Sequence, residues 1–509
     1  MIFRAPEQPL TIPEIPLTPF LLDRAAGRGD KPAFIDGSSG RTLTYAGWAQ
    51  AVRETAAGLA RRGLRKGGVF AIYSPNAPEY AVFFHAVSLL GGVVTTINPL
   101  YTAGELAAQL RDSGARYLIT APSCADKAGE AARDAGVTEL LVFGDSVAFN
   151  GEPPEVDVDP RHDLVVLPYS SGTTGLPKGV MLTHYNLVAN ILQSACAIDI
   201  GERDTMLGVL PFFHIYGMVV IMNLGLYVGA TVVTMPRFDL EQCLATIEKY
   251  RVTFANVVPP IVLALAKSPL VDKYDLSSLR TLFSGAAPLG TGVAAAVSAR
   301  LGCQVLQGYG LTETSPVTHT ARTSGSGPKT AGIGPPVPNT EAKIIDTITG
   351  AELGSDQEGE VCVRGPQVMK GYLNRPEATA AMIDPDGWLH TGDVGYADAD
   401  GNFFIVDRVK ELIKYKGLQI APAELEAVLL GHPSVADAAV VPLADEEAGQ
   451  VPKAFVVLKG EATPDEIMRY VAEHVAPYKK IRSLQIIDQI PRSPSGKILR
   501  RVLVARGAV

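Results

Sequence analysis

The segment 164–184 has the residue types that bind a polyphosphate. An apolar strand candidate, LVVLPY, leads into the run SSGTTG, and a lysine follows shortly after. Glycines let backbone N–H groups approach phosphate oxygens, hydroxyl groups donate further hydrogen bonds, and lysine adds positive charge. The predicted phosphate-binding residues are Ser170, Ser171, Gly172, Thr173, Thr174, Gly175 and Lys178.

This loop differs from the Walker A loop of kinases and ATPases. A Walker A loop has Gly directly before its lysine and Ser or Thr directly after it, whereas Pro177 and Gly179 occupy those positions here. The altered loop argues against a P-loop kinase or ATPase. A surface turn without function is the other alternative, and the specificity of the SSGTTG run argues against it.

The elements around the loop predict an α/β fold with doubly wound, mainly parallel sheets. The stretches 80–101 and 206–236 carry no charge, and each breaks at glycine before a β-branched run. This pattern favours a buried helix, a tight turn and a buried parallel strand over a membrane span. The segments 111–120 and 133–143 repeat the order of helix, glycine and apolar strand.

The sequence pattern changes twice toward the C-terminus. Between residues 330 and 407, short strand candidates alternate with turn residues, which predicts a barrel-like β section. Beyond this section we expect helices that open at Pro422 and after Thr463, with strands at 435–442 and 453–459. We therefore predict two domains, residues 1–409 and a small α+β domain of residues 410–509.

Composition excludes several classes of protein. Hydrophobic residues make up 47% of the chain and charged residues 19%, so a large core can form and disorder is excluded. The net charge of −8 argues against a nucleic-acid partner or an anionic membrane surface. The five cysteines are never spaced as C-x-x-C, which argues against a disulfide framework or a zinc ribbon. The proline-rich start does not resemble a signal peptide, so we expect a cytoplasmic protein.

At SSGTTGLPKGV the sequence resembles the adenylate-forming (ANL) superfamily, which includes acyl-CoA synthetases, non-ribosomal adenylation domains and beetle luciferases. The resemblance continues through PFFHIYG, SGAAPLG, QGYGLTETSPV, HTGDVG and PRSPSGKILRR, and so covers nearly the whole chain. The branch that it resembles most comprises 4-coumarate–CoA ligases and medium-chain acyl-CoA ligases.

The resemblance implies roles for residues of the large domain. His214 would lie beside the substrate carboxylate and the α-phosphate, Thr312 would bind the α-phosphate, and Glu313 would hold Mg²⁺. The residues implied to bind adenosine are Gly285, Ala286, Ala287, Tyr309, Asp393 and Arg408.

The acyl pocket that the resemblance implies is lined mostly by small or apolar residues. Its residues would be Tyr216, Met218, Ser284, Gly308, Gly310, Pro316 and Val317. Such a pocket suits an aromatic or medium-length acid. The expected substrate is therefore a 4-coumarate- or cinnamate-type acid, with medium-chain fatty acids as the alternative.

The small domain is implied to supply residues for two successive steps. Lys497 would reach the α-phosphate during adenylation, and the domain would then rotate so that coenzyme A can bind. The implied residues of the lysine-rich run are Lys410 at the hinge, Lys414 and Gln419 near the adenylate, and Lys416 and Gly417 at the CoA tunnel. Without the resemblance, this run would be interpreted as the exposed start of a basic helix.

The implied reaction has two halves, in which ATP and a carboxylate give acyl-AMP and pyrophosphate, and coenzyme A then displaces AMP. A carboxylic acid is already ionised at pH 7, so no general base is required. A luciferase-like adenylating enzyme is a less favoured alternative. A non-catalytic nucleotide sensor would be expected to lack Lys497 or Glu313, and both are present. The oligomeric state stays open.

Overall fold

The computed structural model describes residues 1–145, 147–170, 177–322, 332–408, 411–415, 418–445, 448–475, 477–492 and 496–507. The strands in these residues are β1 (Ile2–Arg4), β2 (Pro32–Asp36), β3 (Thr42–Thr44), β4 (Val69–Tyr73), β5 (Val93–Ile97), β6 (Tyr117–Thr120), β7 (Glu139–Val142), β8 (Leu164–Ser170), β9 (Lys178–Thr183), β10 (Thr205–Gly208), β11 (Thr231–Thr234), β12 (Phe254–Val257), β13 (Thr281–Ser284), β14 (Gln304–Gly310), β15 (Val317–Thr320), β16 (Glu341–Ile345), β17 (Gly359–Arg364), β18 (Gly371–Tyr372), β19 (Leu389–Ala397), β20 (Phe403–Arg408), β21 (Ile413–Tyr415), β22 (Leu418–Ile420), β23 (Val435–Asp445), β24 (Gly449–Leu458) and β25 (Ser483–Ile486).

The α-helices of the same residues alternate with the strands over most of the chain. They are α1 (Leu17–Ala25), α2 (Tyr45–Arg61), α3 (Pro78–Leu89), α4 (Ala103–Ser113), α5 (Ala125–Ala135), α6 (His184–Ala197), α7 (Leu224–Val228), α8 (Leu240–Tyr250), α9 (Pro259–Lys267), α10 (Thr291–Leu301), α11 (Pro376–Ala380), α12 (Pro422–Gly431), α13 (Pro464–His474) and α14 (Arg500–Gly507).

Two mainly parallel sheets form the body of the protein. One has the order β18-β9-β8-β5-β4-β6-β7 and is parallel from β8 to β7. The other has the order β15-β14-β13-β12-β10-β11-β2-β3 and is parallel from β14 to β2. One apolar cluster of side chains packs across both sheets and their helices. The predicted doubly wound α/β architecture is confirmed.

The two uncharged stretches form the predicted buried units. In the first, α3 ends at Leu89, a glycine turn follows, and β5 is buried along its whole length. In the second, a π-helix at Tyr216–Asn223 runs into α7, and Gly229 in the left-handed conformation leads to β11. No helix in the described part of the chain is long and apolar enough to cross a membrane.

The segment between residues 332 and 408 forms the predicted barrel-like section. Its strands make an antiparallel sheet of order β1-β16-β17-β19-β20, which the N-terminal strand β1 extends at one edge. A separate apolar cluster that includes Phe403 and Val361 fills this sheet's inner face.

The C-terminal residues form the expected α+β unit with its own core. Helix α12 opens at Pro422, and Thr463 caps α13 in a reciprocal pair of hydrogen bonds with Glu466. The predicted strands 435–442 and 453–459 correspond to the longer hairpin β23–β24. The described part of the lysine-rich run, residues 411–415, contains the strand β21 and no helix, so the alternative interpretation as a helix start is wrong. The domain boundary at residues 409 and 410 stays a prediction, because both lie outside the described residues.

Buried histidines make the stability of this fold depend on pH. Burial lowers the pKa of His85 to about 3, that of His184 to about 4 and that of His319 to about 3. In the unfolded chain these imidazoles take up protons near pH 6.5, which the folded protein does only below about pH 4. The free energy of unfolding should therefore fall as the pH drops from 6.5 toward 4.

We expect the melting temperature to be lower at pH 5 than at pH 7, and the difference to shrink in His85→Gln. The exposed His474 provides the matched control, since His474→Gln should keep the full pH dependence. A melting temperature difference that His85→Gln leaves unchanged would contradict this account. The measurement is thermal unfolding followed by circular dichroism at each pH.

Candidate active site

The predicted phosphate loop lies between β8 and β9, at the carboxyl end of β8. Ser170 closes β8 and pairs with Lys178, the first residue of β9. The Lys178 Nζ atom lies 4.8 Å from the ring centroid of Tyr372. The other residues predicted to bind phosphate (Ser171, Gly172, Thr173, Thr174 and Gly175) lie outside the described residues.

Glu313 lies beside Ser170, on a 3-10 turn, Thr312–Thr314, that follows β14. Its side chain is 6% exposed, and its Oε1 accepts hydrogen bonds from the Ser170 Oγ at 2.8 Å and from the Tyr372 hydroxyl at 2.7 Å. Among the described residues, no donor reaches Oε2. A carboxylate held this way beside a phosphate loop fits Mg²⁺, which prefers oxygen ligands and also takes substrate phosphates.

Tyr372 was not predicted from the sequence. Burial, followed by the neighbouring Glu313 carboxylate, raises its pKa, so its hydroxyl stays protonated and remains a donor. The backbone N–H of Met369 also donates to the Glu313 carbonyl at 2.9 Å. The segment Met369–Tyr372 therefore supports Glu313. Pairing of β18 with β9 brings this segment to Glu313.

The loop that carries His214 is tied to both sheets. The Asn76 amide donates to the carbonyls of Gly208 and Leu210, and its oxygen accepts from the Phe212 N–H. The hydroxyl of Thr96 in β5 donates to the carbonyl next to His214, that of Phe213. These bonds hold the loop after β10 at the carboxyl ends of the parallel strands, where α/β proteins place their ligands.

His214 is uncharged at neutral pH and lies close to Lys497. Desolvation, followed by the positive charge of Lys497, lowers the pKa of His214 to about 3. The backbone of Gly496 packs on Val258, where an added Cβ would lie 3.3 Å from a Val258 methyl group. The Arg492 guanidinium donates to the Gly496 carbonyl at 3.0 Å and pairs with Asp437. The C-terminal unit thus places Lys497 over the large domain's candidate site.

Three of the predicted adenosine residues, Tyr309, Asp393 and Arg408, lie together on β14, β19 and β20. The Tyr309 hydroxyl donates to the Asp393 carboxylate at 2.5 Å, and the backbone of Asp393 pairs with that of Arg408. After β13, the Gly285 N–H donates to the Val257 carbonyl, and Ala286 takes a φ of 72°. Ala286 and Ala287 are half-buried after this left-handed turn.

Close backbone contacts shape the predicted acyl pocket. A Cβ at Gly310 would lie 1.8 Å from the Pro316 carbonyl oxygen, and one at Gly308 would lie 2.6 Å from the Phe283 ring. Gly285 packs on the Tyr216 ring, where a Cβ would lie 3.0 Å from an aromatic carbon. These contacts require glycine. Val317 and Met218 are buried nearby in β15 and the π-helix.

Buried polar atoms lie among the residues of the predicted acyl pocket. The Tyr216 hydroxyl donates to the Phe283 carbonyl at 2.9 Å, and the Asn256 Nδ2 lies 3.5 Å from the same hydroxyl. Within the described structure, the buried Asn256 Oδ1 and Ser284 Oγ have no hydrogen-bond partner. Sequence reasoning missed Asn256, although one polar residue inside the apolar strand FANVV was a usable signal.

The remaining predicted residues of the C-terminal unit are less completely described. Lys414 and Gln419 pair across the β21–β22 hairpin, so the structure brings their backbones together. The hinge Lys410 and the CoA-tunnel residues Lys416 and Gly417 lie outside the described residues. Their roles stay predictions.

Comparisons with known proteins agree with this geometry. The models of the AMP-binding enzyme and of its C-terminal domain match residues 21–373 and 424–497. The chain is 46% identical to 4-coumarate–CoA ligase 5 of Oryza sativa subsp. japonica, over 99% of this chain and 97% of the relative.

Solved structures show the same fold. An anthranilate CoA ligase bound to anthranoyl-AMP superposes with a TM-score of 0.89 at 26% identity, covering 98% of each chain. The o-succinylbenzoate CoA synthetase of Bacillus subtilis, with its acyl-adenylate, gives 0.84 at 32% identity and covers 97% of this chain and 98% of its own.

The chain belongs to the AMP-binding enzyme family. The resemblance to the adenylate-forming superfamily, and within it to 4-coumarate–CoA ligases, is thereby confirmed.

The hydrogen bond from Tyr372 to Glu313 leads to a prediction about the Mg²⁺ dependence of activity. Tyr372→Phe removes one hydrogen bond to a buried carboxylate, worth about 1 kcal/mol, or ~5-fold in an equilibrium constant. We expect the Mg²⁺ concentration for half-maximal activity to rise by about that factor, with folding intact. The measurement is a Mg²⁺ titration of activity at saturating ATP.

Tyr274→Phe is the matched control for this variant. The Tyr274 hydroxyl also donates to a glutamate, Glu241, but does so on the surface at 3.2 Å. Its Mg²⁺ dependence should equal that of the parent enzyme. An unchanged Mg²⁺ dependence in Tyr372→Phe would remove Tyr372 from the site.

Proposed function

We propose that this protein is an ATP-dependent carboxylate–CoA ligase that acts on 4-coumarate-type acids. In the first half-reaction the carboxylate oxygen attacks the α-phosphorus of ATP, and pyrophosphate leaves. In the second, the thiol of coenzyme A attacks the acyl carbon of the adenylate, and AMP leaves. The carboxylate is the nucleophile in its ionised form, so the site needs position and charge rather than a base.

The observation that carries this proposal is the position of Lys497 beside an uncharged His214. Two anions must approach each other for adenylation, and a cation placed beside the reacting atoms stabilises the negative charge that builds up. Because His214 is neutral, it does not compete with Lys497 for the anionic groups. It can still donate a hydrogen bond to the substrate carboxylate. Lys497 then supplies the positive charge at the α-phosphate.

Binding of ATP would use the residues around the phosphate loop. Ser170, Lys178 and the loop between them face the triphosphate in this proposal, and Thr312 binds the α-phosphate. Mg²⁺ on Glu313 would screen the phosphate oxygens when bound. Asp393 accepts hydrogen bonds from the ribose hydroxyls, with Tyr309 stacked on adenine.

The second half-reaction requires a different set of residues from the same small domain. We propose that the domain turns about Lys410 after adenylation, so that Lys416 and Gly417 line the path of coenzyme A. Lys414 and Gln419 then contact the adenylate. The C-terminal unit has an apolar core of its own, which would let it rotate as a rigid body.

Buried polar atoms among the residues of the predicted acyl pocket favour a phenolic acid over a fatty acid. A medium-chain alkyl tail would leave Asn256 Oδ1 and Ser284 Oγ buried without a hydrogen bond, which lowers the binding free energy of such a substrate. The 4-hydroxyl group of 4-coumarate can donate to such an acceptor. The names of the matched relatives, 4-coumarate–CoA ligases of Oryza sativa and Pinus taeda, agree with this choice.

Free thiols support a reducing compartment for this enzyme. All five cysteines are unpaired, and three of them are buried. We therefore place the enzyme in the cytoplasm, where thiols remain reduced.

A substrate panel with one variant tests the substrate assignment. We expect CoA-thioester formation to be fastest with 4-coumarate, slower with cinnamate and slowest with octanoate. Asn256→Leu removes the acceptor for the 4-hydroxyl group, so kcat/KM for 4-coumarate should fall about tenfold, the effect of one lost hydrogen bond in a buried site.

Cinnamate is the built-in control, because it lacks the 4-hydroxyl group and should lose little activity in Asn256→Leu. Equal losses with both acids would show that Asn256 does not recognise the hydroxyl. Octanoate as the fastest substrate of the parent enzyme would favour the medium-chain alternative.

A further inference from the structure

Three side chains with lone-pair atoms converge in the antiparallel sheet, on the face away from its main core. Cys362 in β17 pairs directly with His390 in β19. Glu360 precedes Cys362 by two residues, and therefore points to the same face of the strand. The register of β17 against β19 shifts between these two residues, as at a β-bulge. We call Glu360, Cys362 and His390 the cross-strand cluster.

Two of the distances within the cross-strand cluster match edges of a metal tetrahedron. The Cys362 Sγ lies 3.6 Å from the His390 Nδ1, and the same nitrogen lies 3.2 Å from the Glu360 Oε2. All three ligand atoms lie within 4.8 Å of one another. With ordinary zinc bond lengths, tetrahedral geometry gives about 3.6 Å between sulfur and nitrogen and about 3.3 Å between nitrogen and oxygen.

A proton cannot satisfy this arrangement as well as a metal ion can. If Nδ1 carries a proton and donates it to Glu360, it has no lone pair left to accept from the Cys362 thiol. If Nδ1 accepts from the thiol instead, its lone pair faces the carboxylate. A cation at the centre pairs with lone pairs of all three atoms at once.

We propose that Glu360, Cys362 and His390 form a binding site for a divalent transition-metal ion of borderline softness, with Zn²⁺ as the best match. Sulfur and imidazole ligands disfavour Mg²⁺, so this site is chemically distinct from the carboxylate at Glu313. Metal binding breaks the S–H bond of Cys362, forms a metal–sulfur bond and releases the proton to solvent. A water would complete the tetrahedron.

The surroundings of the cluster are those of an ordered metal site. The Asp384 Oδ2 lies 3.7 Å from the Nε2 of His390, the nitrogen that faces away from the cluster, and the backbone N–H of Trp388 holds Asp384 in place. A carboxylate behind a ligating histidine is the usual outer support of a metal. Lys343 pairs with Cys362 across the strands, and its ammonium lies 4.5 Å over the Trp388 ring and donates to the Glu352 carboxylate at 3.4 Å.

The cluster is coupled to the predicted ribose site through the backbone. The other oxygen of Glu360, Oε1, accepts from the Gly392 N–H at 2.9 Å, and Thr391 donates to the Val361 carbonyl at 2.7 Å. Asp393 follows directly in the chain. His390 is 31% exposed, which gives an ion a route from solvent. A bound ion would therefore stiffen the turn that presents Asp393.

Cobalt titration of the full-length, EDTA-treated protein tests the proposal. Co²⁺ reports thiolate ligation through a sulfur-to-metal charge-transfer absorption that oxygen ligands at Glu313 do not give. We expect one such Co²⁺ per chain, displaced by Zn²⁺, and a rise in melting temperature with Zn²⁺. Cys362→Ser and His390→Gln should abolish the absorption, and Asp384→Asn should weaken binding about tenfold.

Cys303→Ser is the matched control, because Cys303 is also buried but lies in the large α/β body. Its cobalt absorption should equal that of the parent. Absence of the charge-transfer absorption in the parent protein, or its persistence in a folded Cys362→Ser, would overturn the proposal. Both outcomes are independent of ligase activity.

Discussion

The electrostatic interaction between Lys497 and His214 is the one on which the account of this enzyme depends. It links the C-terminal unit to the loop after β10, and hydrogen bonds within each unit hold the segments that carry the two residues. Burial keeps His214 neutral, so Lys497 brings the positive charge to this part of the site. A cation at a buried site is suited to a reaction between two anions.

The two mainly parallel sheets bring the loops at the carboxyl ends of their strands to one place. Ser170, His214, Ser284 and Glu313 all follow the carboxyl ends of parallel strands, although they come from two different sheets. Asn76 and Thr96 hydrogen-bond one sheet to the loop of the other, and this fixes the position of the His214 loop relative to the first sheet. Glycines at 308 and 310 then allow the backbone to approach its neighbours closely.

Much of this could be predicted from sequence because the motifs lie where local patterns and chain order agree. The helix, glycine and β-branched strand units indicated the parallel sheets, and the SSGTTG run indicated the phosphate loop. Tyr372 could not be found this way, because it reaches Glu313 only through pairing of β18 with β9. The cross-strand cluster was hidden for the same reason. Cysteine spacing excluded a zinc ribbon, but strand register brings Cys362 and His390 together across 28 residues.

Separate measurement of the two half-reactions in Lys497→Ala tests the central claim most directly. If Lys497 supplies charge only during adenylation, the variant should lose 4-coumarate-dependent ATP–pyrophosphate exchange by at least about a hundredfold, the effect of removing one strong electrostatic contact to the transition state. It should still convert pre-formed coumaroyl-AMP and coenzyme A to the thioester at nearly the parent rate. Normal exchange in Lys497→Ala, or an equal loss of both half-reactions, would contradict the account.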